Sequence, residues 1–292
     1  MKRFHILIAL AVLMCGMVSV RAEEPQEDTT FVFRTINFPG DTFTQLLGIN
    51  VFDTIAGYHG ANTNKGFVLT LPNNFTPENF PNSDQTQVIG INKRGDTDGF
   101  YITGNVTHGF LRIDGAFFTV DFPGTTFNQL LGLNNRHQAA GYFNDAGGIS
   151  RPYIYAINGG VFSEIFIPAA ALKGAQATGI NDRGVISGFF IDNNGVNHGF
   201  LLKQGTFTPL DVPGSTSTQA FGLNNEGQVV GAFVDRAGKT HGFLFDEGRF
   251  LTIDDPNGIG TTTVNGINDF GNIVGFFVDS AGNTDGFVGF AE

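Results

Sequence analysis

Short apolar runs of four to seven residues, separated by polar turns, fill the chain from Phe31 onward. Residues 215–256 show the pattern whole. QAFGLN, QVVGAFV, HGFLF and RFLTIDD are rich in Val, Ile, Phe and Thr, the composition of strands. The turns between them are 224–227, 235–238 and 246–248. Asn and Asp there satisfy nearby backbone groups, and Gly takes positive φ without steric cost. No long apolar stripe at helical spacing interrupts the strands. The best helical candidate, PAAALK at 168–173, is too short to stand alone.

The pattern repeats. A G-[IL]-N column stands at Gly48, Gly90, Gly132, Gly179, Gly222 and Gly266, with steps of 42, 42, 47, 43 and 44 residues. A second glycine column is Gly57, Gly99, Gly141, Gly188, Gly231 and Gly275. A third, Gly66, Gly109, Pro152, Gly199, Gly242 and Gly286, is always followed by an aromatic: Phe67, Phe110, Tyr153, Phe200, Phe243 and Phe287. A fourth is proline, at 39, 81, 123, 168, 213 and 256. Four columns in constant order, with a period in the low forties and four strands per unit, predict propeller blades.

The phase of the repeat predicts how the ring closes. The chain ends on the third strand of its sixth unit, DGFVGFAE, while FVFRTINFPG at 31–40 matches the fourth-strand register of FFTVDFPG at 117–124. The N-terminal strand therefore completes the last blade, which also removes the open edges of a row of sheets. The expected fold is an all-β, six-bladed propeller over residues 31–292. Ahead of it, Lys2 and Arg3, the apolar run 6–14 and Val20-Arg21-Ala22 read as a signal peptide, residues 1–22. Residues 23–30, EEPQEDTT, read as a frayed acidic leader. The apolar run is too short to span a membrane comfortably. Cys15 lacks the small preceding residue that lipidation favours, and it leaves with the signal, so the mature chain has no disulfide.

Charge narrows the partners. Removing Lys2, Arg3 and Arg21 with the signal takes the net charge from −11 to −14. No basic cluster in the sequence offsets it, which disfavours nucleic acid and anionic membrane surfaces. Tryptophan is absent and phenylalanine reaches 32; the repeat columns assign most of these rings to the core.

Units four to six are regular, and units one to three depart from the plan. In unit one a polar loop, LPNNFTPENFPNSD, stands in place of the tight connection. In unit two Asp96-Thr97-Asp98 replaces apolar residues and is expected to face solvent or line a cleft. In unit three Pro152 lacks a backbone donor, so its strand should begin there or bulge. Asn74-Phe75-Thr76 and Asn105-Val106-Thr107 match the glycosylation sequon.

Three polar columns are candidates for chemistry. His108, His198 and His241 share one column with Lys65, Arg151 and Asp285. Rotation about a ring separates same-column residues, so a blade-corner hydrogen bond is the expected role rather than a metal site. Asp145, Asp192, Asp235 and Asp279 open D-x-x-G turns, and Asp121, Asp211, Asp254 and Asp255 precede prolines. Turn capping accounts for them, and calcium is the one cofactor they leave open. Asp96, Asp98 and Glu164 could in principle join a carboxylate pair for glycan cleavage. No serine elbow, phosphate loop or H-E-x-x-H motif is present. The sequence assigns no catalytic residue and no metal ligand, and leaves enzymatic activity open.

The units GINNxGxIVGxFxDxxGxxHGFL followed by FxxxDxPG resemble the bacterial extracellular HAF repeat. The tripeptide stands as HGF at 108, 198 and 241 and as KGF, RPY and DGF elsewhere, over residues 31–290. The resemblance implies a secreted or surface protein and transfers no functional residue. The reading is a secreted or periplasmic binding module for a glycan, a peptide or an extracellular protein, monomeric by expectation. A glycan-active hydrolase or lyase and a structural surface protein are the alternatives.

Overall fold

The computed structural model describes residues 29–168 and 173–292. The signal segment, the leader up to residue 28 and most of the PAAALK stretch lie outside the described residues. The six units form six four-stranded antiparallel sheets, the blades of a six-bladed β-propeller. Blade 1 runs from its inner strand Thr44–Ile49 through Thr54–His59 and Lys65–Thr70 to its outer strand Asn74–Pro77. The inner strands of blades 2 to 6 are Gln85–Ile91, Asn128–Leu133, Ala175–Ile180, Ser217–Leu223 and Thr263–Ile267. Phe31–Thr35 is the outer strand of blade 6, paired with Thr284–Ala291 from Phe31 opposite Ala291 to Thr35 opposite Phe287. The ring closes as the phase of the repeat requires.

The columns lock together. Each second-column glycine lies directly across from a third-strand aromatic, for example Gly231 from Phe243 and Gly188 from Phe200. All six of these aromatics are fully buried. A Cβ on Gly231 would stand 2.6 Å from the Phe243 ring and 2.1 Å from the Gln219 carbonyl oxygen. The ring fills the space that glycine leaves, and the facing carbonyl by itself already excludes a side chain at the glycine. The G-[IL]-N glycines serve a different contact, between blades. A Cβ on Gly222 would meet the Asn265 carbonyl oxygen of the next blade at 2.6 Å, and one on Gly266 the Leu47 carbonyl oxygen at 2.5 Å.

Four local expectations change. The polar stretch of unit one contains a regular outer strand, Asn74–Pro77, whose Phe75 packs edge-on against Phe67 at 4.9 Å between centroids. Asn74 of the first sequon is therefore on a strand. Pro152 sits third in the strand Ser150–Ala156 with unbroken register, opposite Tyr142. The equivalent N–H groups of Gly66 and Gly286 donate to the side chains of Asn79 and Asn37, outside the ladder, so a proline there removes no strand–strand bond. Asp96, Thr97 and Asp98 are buried at 4%, 0% and 0% exposure, neither solvated nor in an open cleft. Their partners come from adjoining structure. Thr97 donates to buried Glu78, which also pairs with Arg112 at 3.1 Å. These three replace the apolar layer that Ile36, Ile55 and Leu69 form at the preceding blade junction. Finally, the leader is tied down at its end, where the Thr30 carbonyl accepts the N–H of Glu292 at 3.0 Å.

Candidate functional site

The inner strands define the central channel, and each carries the same irregularity. The register with the second strand slips by one residue in all six blades, just before the G-[IL]-N glycine in five and between Ala220 and Leu223 in blade 5. A bulge of this kind leaves a residue unpaired and re-aims its side chain. The bulged residues are Leu47, Ile89, Leu131, Thr178, Phe221 and Asn265, and all six line the channel. Two residues earlier stand Gln45, Gln87, Gln129, Gln176 and Gln219, also lining it, with Thr263 at the equivalent position of blade 6. Tyr58, Phe100 and Phe189 from second strands add aromatic surface.

The channel narrows at one end. Each G-[IL]-N asparagine accepts, through Oδ1, the N–H groups two and four residues on, as Asn181 does from Arg183 and Val185, both at 3.0 Å. Its Nδ2 is then free to reach the next blade. Asn50, Asn134, Asn181, Asn224 and Asn268 donate to the following asparagine's carbonyl at 2.9–3.1 Å. Asn92 departs, donating to Asp96 at 3.0 Å. This belt lines a cavity of about 80 Å3, next to one of about 390 Å3 on the glutamine side, and the ring of Ile49, Ile91, Leu133, Ile180, Leu223 and Ile267 lines both. The larger cavity is a cup with the glutamines and aromatics toward its mouth.

The cup is neutral. None of the described residues lining it is Asp, Glu, His, Lys or Arg. Its one titratable lining group is Tyr58, which burial pushes up to about 12 and which donates to Gln45 Oε1 at 2.6 Å. Gln87 donates to Asn64 at 2.7 Å. The amides of Gln129, Gln176, Gln219 and Asn265 have no hydrogen-bond partner among the described residues, and Asn265 Oδ1 is buried as well. Buried polar atoms are normally paired, so Asn265 Oδ1 lacks a partner, and the half-buried glutamine amides beside it are free to bond a guest. On the side of blades 1 to 3 the bulged residues are apolar, Leu47, Ile89 and Leu131.

The sequence candidates lie elsewhere. His108, His198 and His241 each bond through Nδ1 to an aspartate of their own blade, Asp121, Asp211 and Asp254, at 2.7, 2.9 and 2.9 Å. His198 and His241 also face Asp192 and Asp235 at 3.7 and 3.4 Å. These are blade-corner bonds, stacked on Tyr101, Phe190 and Phe233. In the other blades Lys65 donates to the Asp84 carbonyl, Arg151 pairs with Asp145 and Asp285 accepts from Asn37. Asp145, Asp192, Asp235 and Asp279 spend Oδ1 on two N–H groups of their own turns. Those bonds hold all four carboxyls below the usual range. Asp255 is fully buried, and its burial raises its carboxyl.

Asp96, Asp98 and Glu164 are not brought together. Asp96 is held by Asn92 and Arg94. Asp98 accepts the Gly90 N–H at 2.8 Å, and burial pushes it up to about 7. Glu164 is exposed on the outer strand Val161–Glu164. Among the described residues no group of three or more His, Cys, Asp or Glu could hold a metal ion, and no helix is long and apolar enough to cross a membrane. The glutamines escaped the sequence reading although they form a column, three residues before each G-[IL]-N glycine in five units.

No protein-family profile and no curated protein sequence matches the chain. Solved structures do. A putative TolB from Agrobacterium tumefaciens superposes with a TM-score of 0.63 at 11% identity, covering 89% of this chain and 97% of that one. TolB from Acinetobacter baumannii gives 0.54 at 12%, and the chain spans 54% of its length while 72% of this chain is covered. The Aleuria aurantia lectin, solved with Fucα1-6GlcNAc, gives 0.53 at 10%, covering 90% and 94%. The likeness is one of fold.

Proposed function

We propose that the chain is a secreted binding module of the HAF-repeat type that takes a short, uncharged glycan into the cup. The observation that carries this reading is the wall of uncommitted carboxamides in a cavity whose described lining residues carry no charged side chain. A carboxamide donates and accepts at once, which suits vicinal hydroxyls. Phe221, half-buried on the channel wall, offers aromatic surface to the apolar part of a sugar, while Tyr58, Phe100 and Phe189 are each less than a tenth exposed. The volume lies within the roughly 300–1,000 Å3 of small-molecule sites. The lectin among the structures of like fold, solved with a fucosylated sugar, favours the same class. Hydrolysis calls for a pair of carboxyls flanking the bond, and the cup supplies none, so the reading is recognition. Secretion rests on residues 1–22.

The test is binding of the purified chain to an array of neutral and acidic glycans and peptides, with and without calcium. Saturable binding of a neutral glycan, lost in Gln176→Ala and Gln219→Ala, supports the reading. Binding only of acidic glycans, only of peptides, or of nothing contradicts it. Calcium dependence would bring the aspartate turns back as a site.

A further inference from the structure

The face opposite the cup's mouth carries a pattern that the repeat does not require. There each blade presents the second residue of the turn led by its asparagine. In blade order these are Phe52, Arg94, Arg136, Arg183, Glu226 and Phe270, and all six are exposed. Phe52 and Phe270 leave 67% and 71% of their surface to solvent. Arg94 is held by Asp96 at 2.9 Å, while Arg136 and Arg183 form no ion pair among the described residues. Three consecutive blades thus present arginine, and the other three present Glu226, Phe270 and Phe52. On the same face Lys93 and Lys203 add to the basic half and Glu247 to the acidic one, while Asp114 and Arg249 run against the division. In a chain of net charge −11 this arc is a local exception.

A basic arc and an acidic–aromatic arc of equal span on one ring are self-complementary. Consider a two-fold axis lying in this face, passing between blades 1 and 2 and between blades 4 and 5. It reverses the blade order, so blade 2 meets blade 1 of a second copy, blade 3 meets blade 6 and blade 4 meets blade 5. Arg94 then lies over Phe52, Arg136 over Phe270 and its neighbour Asp269, and Arg183 over Glu226. Lys203 faces Glu247. No like charges of the turn ring are superposed, whereas an axis through blades 1 and 4 sets Arg183 against itself. Isologous contact demands such self-complementarity, and complementary potential selects the partner and its register. Arginine over an exposed aromatic face adds cation–π attraction.

We propose that two copies of this chain associate through this face as a two-fold dimer, with Arg183–Glu226 pairs and with Arg94 and Arg136 covering Phe52 and Phe270. This departs from the monomer expected of the sequence. The dimer covers the narrow ends and leaves the two cups open in opposite directions, whatever they bind.

Analytical ultracentrifugation of the purified chain across the micromolar range tests it. A dimer that weakens with added salt is expected, and a monomer throughout overturns the proposal. Arg183→Glu and Glu226→Arg should each weaken self-association by at least about tenfold. An equimolar mixture should recover the dimer, because each variant supplies the charge that the other lacks. A dimer indifferent to both substitutions, or a mixture that stays monomeric, overturns it. Both side chains are exposed, and circular dichroism checks that the variants fold; Arg136→Glu is the substitute if one does not.

Discussion

Asp98 gives the sharpest energetic prediction. Its equivalents in blades 1, 3 and 4 are Ala56, Ala140 and Ser187, each opposite the inner-strand glycine. Asp98 is fully buried, accepts the Gly90 N–H, and leaves Oδ2 without a partner. Burial raises its carboxyl from 3.8 to about 7. A raised carboxyl is tolerated in full below the unfolded value, and the folded state loses stability as pH rises from there through the folded value. At about 1.4 kcal/mol per pH unit the loss reaches an upper bound of about 4 kcal/mol, with about 2–3 kcal/mol of it falling between roughly pH 5 and pH 8. Asp98→Asn keeps an acceptor for Gly90 and removes the titration, at a constant cost of about 1–3 kcal/mol for an unpaired buried NH2. Urea titrations of both proteins at the two pH values isolate the effect, since every other group cancels. The variant should gain about 2–3 kcal/mol on the wild type between the acidic and the alkaline measurement. Parallel stabilities at both pH values would refute the burial argument.

Other substitutions probe the repeat itself. Gly231→Ala forces a methyl against the Phe243 ring and the Gln219 carbonyl and should cost about 1–3 kcal/mol or more in thermal unfolding. Asn181→Ala removes a turn cap and the bridge to Asn224, a loss of about 2–3 kcal/mol by the same measurement. Deleting residues 29–35 uncovers the edge of Thr284–Ala291, so light scattering should show aggregation that the full chain lacks.

The blade count and the closure were legible because they depend on positions that recur. The Gln219 carbonyl and the Phe243 ring hold position 231 to glycine for steric reasons, and every unit repeats the facing carbonyl. The turn role of Asp192 and the corner role of His198 were legible too, since both act inside one blade. The cup was not. It is assembled from one strand of every unit, and its bulged residues, Leu47 through Asn265, are the ones the repeat leaves free to differ. Gln176 and Gln219 recur, yet a glutamine column carries no chemistry until the ring places it around an axis. Asp96, Thr97 and Asp98 were misplaced because composition alone reads three polar residues as exposed. Their partners, Glu78, Asn92 and Gly90, meet them only through turns and packed blades.

The central claim is that the neutral cup holds an uncharged glycan against its carboxamide wall. Its most direct test is a calorimetric titration of the purified chain with a neutral oligosaccharide selected on the array, run beside the Gln176→Ala/Gln219→Ala double variant. The account predicts one saturable site per chain, insensitive to salt and abolished in a double variant of unchanged melting temperature. Binding that survives in the variant, or that disappears when salt is added, would contradict it.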